Sequence, residues 1–229
     1  MAMAEQTMAQ ERAKLIVVTR FDGERVAQES KPEPKKRTPK KLPKIITQEQ
    51  VEKLLAQINV KCSTGLRNMV IFQVAYKAGL RVSEICDLRP ADVDLVKGDI
   101  FVQLGKGSKD RHVKIGSCLI DWLSKWSKIR PESEYFFCAV NKGTRILPRY
   151  LNQVLERLSN RANVYVQDGP TQGPVHMHIL RHCFASNLLD SKVNLRQIQQ
   201  LMGHTSISTT ERYLHINDVE LDAVIKALG

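Results

Sequence analysis

The sequence predicts a mainly α-helical α+β domain with one small antiparallel β-sheet. Three observations point to it. Apolar residues recur at helical spacing through residues 47–58, 66–78, 117–129 and 145–162. One pair of segments, 99–104 and 112–115, alternates apolar and polar residues around a glycine-bearing link, the pattern of a β-hairpin. Prolines interleaved with lysines over residues 30–44 forbid a packed core there, so folding is expected to begin near Ile45.

The expected division is therefore a disordered or extended segment, residues 1–44, and one domain, residues 45–229. Within the first, residues 15–19 read as a short strand followed by a turn at Phe21-Asp22-Gly23. Lys31, Lys35, Lys36, Arg37, Lys40, Lys41 and Lys44 alternate with Pro32, Pro34, Pro39 and Pro43. Such an arm is either a solvated linker or a strip that lies along phosphates. In the domain, Thr47 and Gln50 are spaced as a capping box for the first helix. The second helix, rich in Val, Ile, Met and Phe, is expected to be buried and to end at Gly79. Gly105-Lys106-Gly107-Ser108-Lys109-Asp110-Arg111 forms the basic tip of the hairpin. Trp122 and Trp126, four apart on the helix over 117–129, belong to the core or form a base-stacking platform, with core the preferred reading. Residues 135–140 read as a buried strand and 141–143 as a turn. Arg145, Arg149, Arg157 and Arg161 lie on a solvated helix face or on one that meets phosphate. Residues 165–174 read as a polar loop, and 217–228 as a short helix with an apolar stripe.

Composition narrows the partners. A chain of 229 residues, 42% hydrophobic, is long enough for one packed domain and an appendage. Its net charge of +11 favours a polyanion, nucleic acid first and an anionic membrane surface second. No apolar run approaches the roughly 20 residues of a membrane span, and residues 1–10 lack the apolar core of a signal peptide. Five scattered cysteines without a Cys-x-x-Cys pair suit free thiols in a reducing cytoplasm.

The chemistry concentrates in residues 178–213. His178 and Arg181 are three apart and share a helix face. Gly203 has the look of a helix C-cap, which puts His204 at the mouth of a turn. Tyr213 follows Ser and Thr residues suited to capping. Cationic and donor groups can hold a phosphate, and a phenol can attack it. His178 and His182, four apart, can chelate zinc, but no third ligand is evident, so no metal or other cofactor is expected.

His178-x-x-Arg181, then Gly203-His204, then Tyr213 nine residues on, closely resembles the second signature box of the tyrosine recombinase family (phage-type integrases, Xer-like). Gly79-Leu80-Arg81-Val82-Ser83-Glu84 resembles its first box. The resemblance covers the chain from about residue 47 onward. It implies the catalytic-domain fold of that family and site-specific DNA recombination of the integrase or excisionase type. Tyr213 would be the nucleophile that attacks a DNA phosphorus, giving a 3′-phosphotyrosyl bond. Arg81, Arg181 and His204 would stabilise the transition state. Lys106, at the hairpin tip, would protonate the leaving 5′-oxygen, and His178 would assist proton transfer. Glu84 would orient Arg81. Lys109 and Arg111 are rivals to Lys106 for the hairpin-tip position, with contact to backbone phosphates the preferred reading. Double-stranded DNA is the implied partner, with self-association, as a tetramer on DNA, through the C-terminal helix. A cytoplasmic, nucleoid-associated location follows. Members usually carry an N-terminal helical domain that completes a clamp around DNA; residues 1–44 do not resemble it. A minimal recombinase, a fragment and one that borrows a partner's grip all fit. A DNA-binding accessory of a full-length recombinase and a type IB topoisomerase-like relaxing enzyme are the alternatives.

Overall fold

Thr47 starts the folded domain as its spacing from Gln50 predicts. Its Oγ1 accepts from the Gln50 amide at 3.2 Å, and its own amide donates to Gln50 Oε1 at 2.9 Å. The computed structural model describes residues 16–19, 25–28, 45–103, 110–168 and 171–203. Contacts divide the chain into two units, residues 1–40 and 41–229. In the first, β1 (Ile16–Thr19) pairs antiparallel with β2 (Arg25–Gln28), Ile16 facing Gln28. The predicted strand is present; its partner carried no recognisable sequence signal. The Phe21-Asp22-Gly23 turn and the basic arm lie outside the described residues.

In the second unit, α1 (Gln48–Leu55) buries Val51, Leu54 and Leu55. Helix α2 (Ser63–Ala78) starts three residues before its apolar run and is buried on most sides, with Val70, Ile71, Phe72 and Val74 fully enclosed. Gly79 ends it at φ +65°, and a Cβ there would lie 2.2 Å from the Phe184 ring. Only glycine meets both demands. Then come α3 (Val82–Asp87), a 3-10 turn (Pro90–Asp92), and an antiparallel sheet of β3 (Val93–Asp94), β4 (Asp99–Val102) and β5 (Arg111–Lys114) in that order. Ile100 pairs with Val113, and both point into the core. The predicted hairpin is thus present, its first strand shorter than the alternation suggested and its second shifted by one residue. Its tip, 104–109, lies outside the described residues.

Helix α4 (Ser117–Ile129) buries Trp126 completely, and its indole Nε1 donates to the Phe136 carbonyl at 2.9 Å. Trp122 packs half-buried against the same core with the Lys125 ammonium 4.8 Å from its ring centroid. The pair is core, as preferred from the sequence. Residues 135–140 are not a strand. Phe136, Phe137 and Cys138 are buried, but the segment makes only one bridge, Cys138 to Arg145. An apolar run reports burial and not a pairing partner.

Pro148 at the first turn places the start of α5 (Pro148–Ala162) three residues later than Arg145. Residues 165–174 are a hairpin of β6 (Tyr165–Asp168) and β7 (Thr171–Pro174), not the expected loop. Helix α6 (Met177–Asp190) runs against α2, and α7 (Leu195–Met202) is capped by Asn194 and closed by Gly203 at φ +61°. Ala185, Leu189, Ile198 and Met202 form a small apolar cluster that joins α6 to α7, apart from the main core. No helix among the described residues is long and apolar enough to cross a membrane.

Candidate active site

Glu84 is the centre of the site. It lies one turn into α3, and its side chain is 5% exposed. Its Oε1 accepts from Arg81 Nη1 at 2.8 Å and from Arg111 Nη1 at 3.0 Å. Its Oε2 accepts from the Arg81 amide at 2.7 Å and Arg111 Nη2 at 2.8 Å. Arg181 Nη1 stands 3.8 Å from the same oxygen. The four acceptor sites of a carboxylate are filled, so Glu84 has no lone pair left for a substrate. Burial alone would raise its carboxyl, but donation from Arg111 and then Arg81 more than offsets this and holds it below the usual range. Removing one member of so buried a pair typically costs about 3–5 kcal/mol.

The same arginines hold a helix end. The last carbonyls of a helix have no partner within it and carry the negative pole of its dipole. At the end of α7, Arg111 Nε donates to Leu201 O at 3.0 Å, Arg181 Nη2 to Met202 O, and Arg81 Nη2 to Gly203 O at 2.8 Å. Three successive carbonyls are each taken by a guanidinium from a different element. Arg181 also donates from Nη1 to Gly79 O, two residues before Arg81. It is buried, whereas the Arg81 side chain is 34% exposed. Three guanidiniums around one carboxylate leave an excess of positive charge, suited to an anion.

His178 stands exposed on α6. Partial desolvation, then the charges of Arg181 and Arg81, pull its imidazole below the ordinary value, so the ring is neutral at neutral pH and able to accept a proton. The rings of His176 and His182 lie 6.3 and 6.4 Å from it. Among the described residues no group of three or more His, Cys, Asp or Glu side chains is arranged to hold a metal ion.

Of the residues expected to act, Arg81, Glu84 and Arg181 are thus brought together, with His178 near enough to feel both arginines. His204 lies outside the described residues, but the Gly203 immediately before it is part of the cluster. Lys106, Lys109, Tyr213 and the arm residues Lys31, Lys35, Lys36, Arg37, Lys40 and Lys41 also lie outside them. Arg111 corrects an expectation. Its side chain is 9% exposed and its guanidinium is taken by Glu84 and Leu201, so it does not reach outward to phosphate. It opens β5 instead of standing on the tip, and partners 27 and 90 residues away are not visible in local spacing. On α5 and its approach, Arg145 is paired with Asp87 and Arg157 caps the Gln153 carbonyl.

A mainly helical domain with a small antiparallel sheet and an arginine-rich cluster therefore surrounds Arg181 of the second signature box. The chain belongs to the phage integrase family, whose model matches residues 44–220. It is 35% identical over 200 residues to the tyrosine recombinase XerA of Thermococcus onnurineus (strain NA1), covering 86% of this chain and 66% of that protein. To the tyrosine recombinase XerC of Yersinia pestis it is 36% identical over 198 residues, 83% of this chain and 61% of the relative. The chain spans about three fifths of the length of the curated relatives it matches. Its fold matches a crystal structure of XerA recombinase with TM-score 0.68 at 30% identity, over 82% of this chain and 66% of that one. It also matches the XerH site-specific recombinase bound to palindromic difH substrate in a post-cleavage complex, with TM-score 0.67 at 28% identity, over 81% and 53%.

Proposed function

We propose that this chain cleaves and rejoins duplex DNA as a site-specific recombinase, through a tyrosyl intermediate at Tyr213. The observation that carries the reading is the convergence of Arg81 and Arg181 on Glu84 and on the end of α7, directly before His204. The Tyr213 oxygen attacks a backbone phosphorus, the bond to the 5′-oxygen breaks, and a 3′-phosphotyrosyl bond forms. Attack by a 5′-hydroxyl reverses the step, so the bond is conserved and ligation needs no nucleotide. His178 takes the tyrosine proton, and Lys106 returns a proton to the leaving 5′-oxygen. Arg81 and Arg181 meet the charge that builds on the non-bridging oxygens, with one further hydrogen bond from His204. Glu84 orients Arg81. The arm and Lys109 add phosphate contacts. Residues 217–228 join protomers on DNA, where the enzyme acts as a tetramer, in the cytoplasm and at the nucleoid. Relatives named as tyrosine recombinases, and a relative solved on its DNA substrate, support the reading.

A nicked duplex that traps the cleaved state tests it. The parent should give a protein–DNA adduct that survives denaturing electrophoresis. Tyr213→Phe, which loses one oxygen, should bind the same duplex and give no adduct. An undiminished adduct in Tyr213→Phe would remove Tyr213 from its role.

A further inference from the structure

We propose that Arg111 is a positioning residue of this site: with Glu84 on one side and the Leu201 carbonyl on the other, it ties the helix that presents Arg81 to the helix end that precedes His204. The proposal rests on the transesterification reading above and adds a residue to it. Arg111 is the only arginine of the three that gives Glu84 two donors from its guanidinium and still reaches α7 with its Nε. A planar fork on a rigid strand does this; a single ammonium cannot bridge both sides.

Two further features fit a built clasp. Arg111 opens β5 opposite Val102, so its backbone is held by the sheet on the core side of the hairpin. On the other side, a Cβ on Gly203 would come within 2.8 Å of Arg111 Nη1, so the guanidinium packs directly on the left-handed cap of α7. The groups facing Glu84 are Arg81 from the start of α3, Arg111 from β5 and Arg181 from α6. Without Arg111, the carboxylate keeps its bonds to Arg81 but is no longer tied to the sheet. Arg81 and the α7 end are then joined only by the Arg81 bond to Gly203 O and by Arg181, and lose the connection through β5 that fixes their spacing. Displacement of about 1 Å at such a site typically lowers the rate about 10²-fold.

Arg111→Lys and Arg111→Gln are compared with the parent in single-turnover adduct formation on the nicked duplex. The temperature is one at which circular dichroism shows each protein folded. The expected result for Arg111→Lys is parental DNA affinity and salt dependence, with adduct formation slowed about 10²-fold. Combining it with Glu84→Gln should slow the reaction little beyond the slower single variant, because both act on one connection. In the absence of DNA, the Glu84 carboxyl should titrate higher in Arg111→Gln than in the parent by carbon-detected NMR. A parental rate in a folded Arg111→Lys, or rate reductions that multiply in the double variant, would overturn the proposal. Weakened binding at a parental rate would do so too, and would make Arg111 a direct phosphate contact. If the parent itself forms no adduct, the functional reading fails instead, and an unshifted Glu84 titration separately removes the ion pair on which the clasp depends.

Discussion

His178 shows how one side chain's surroundings suit it to a task. Partial desolvation and two neighbouring guanidiniums lower its pKa, so the neutral ring persists to lower pH than a free imidazole would allow. In the proposed mechanism its neutral form is the one that accepts the tyrosine proton. The acid limb in the rate of adduct formation should therefore fall below pH 6.5, the ordinary value, and not at or above it. His178→Asn should lower the rate about 10²–10⁴-fold and remove that limb. A limb that survives the substitution unchanged would assign the titration to another group. Glu84 presents the opposite sign. Its pKa is lowered, so its contribution to stability is present above the ordinary carboxyl value of 4.5 and is lost as pH falls through the folded value.

At the scale of elements, the left-handed cap of α7 is the part with least tolerance. Gly203 combines φ +61° with a guanidinium where a side chain would start. Gly203→Ala should cost about 1–3 kcal/mol of stability and lower the melting temperature by a few degrees, read by circular dichroism; an unshifted melt would show that the cap tolerates a side chain. This cap was legible from sequence, as were Gly79 and the Thr47–Gln50 box, because capping is local chemistry. Helix α4 was legible to the residue. The hairpin of β6 and β7 was not, since Thr171-Gln172-Gly173-Pro174 has none of the β-branched or aromatic alternation that marks a strand. Residues 135–140 misled in the other direction, apolar enough for a strand but packed singly on the Leu88 carbonyl and Trp126. The candidate arginines of both boxes were legible as a spaced pattern. That Arg111 belongs with them was not, because its partners lie far along the chain.

For the molecule as a whole, a net charge of +11 favours a polyanionic partner, which in the proposed function is DNA. Of the chain's 35 lysines and arginines, seven fall between Lys31 and Lys44. Deleting residues 1–44 should weaken DNA binding and flatten its salt dependence, by roughly 0.9 in the log–log slope for each phosphate that the arm no longer neutralises. Fluorescence anisotropy across a salt series measures it, and an unchanged slope would make the arm a tether. The clasp on α7 has a different consequence, in time. Its bonds join residues 90, 102 and 122 positions apart, from Arg111 to Leu201, Gly79 to Arg181 and Arg81 to Gly203. Bonds that close such long loops form only after the intervening chain has collapsed. A ribosome that has finished the first box has made Arg81 and Glu84, yet nothing to hold them against. The anchored arginines come into register only when the last helix of the clasp emerges, so a half-made chain lacks the assembled arginine cluster on which the proposed chemistry depends.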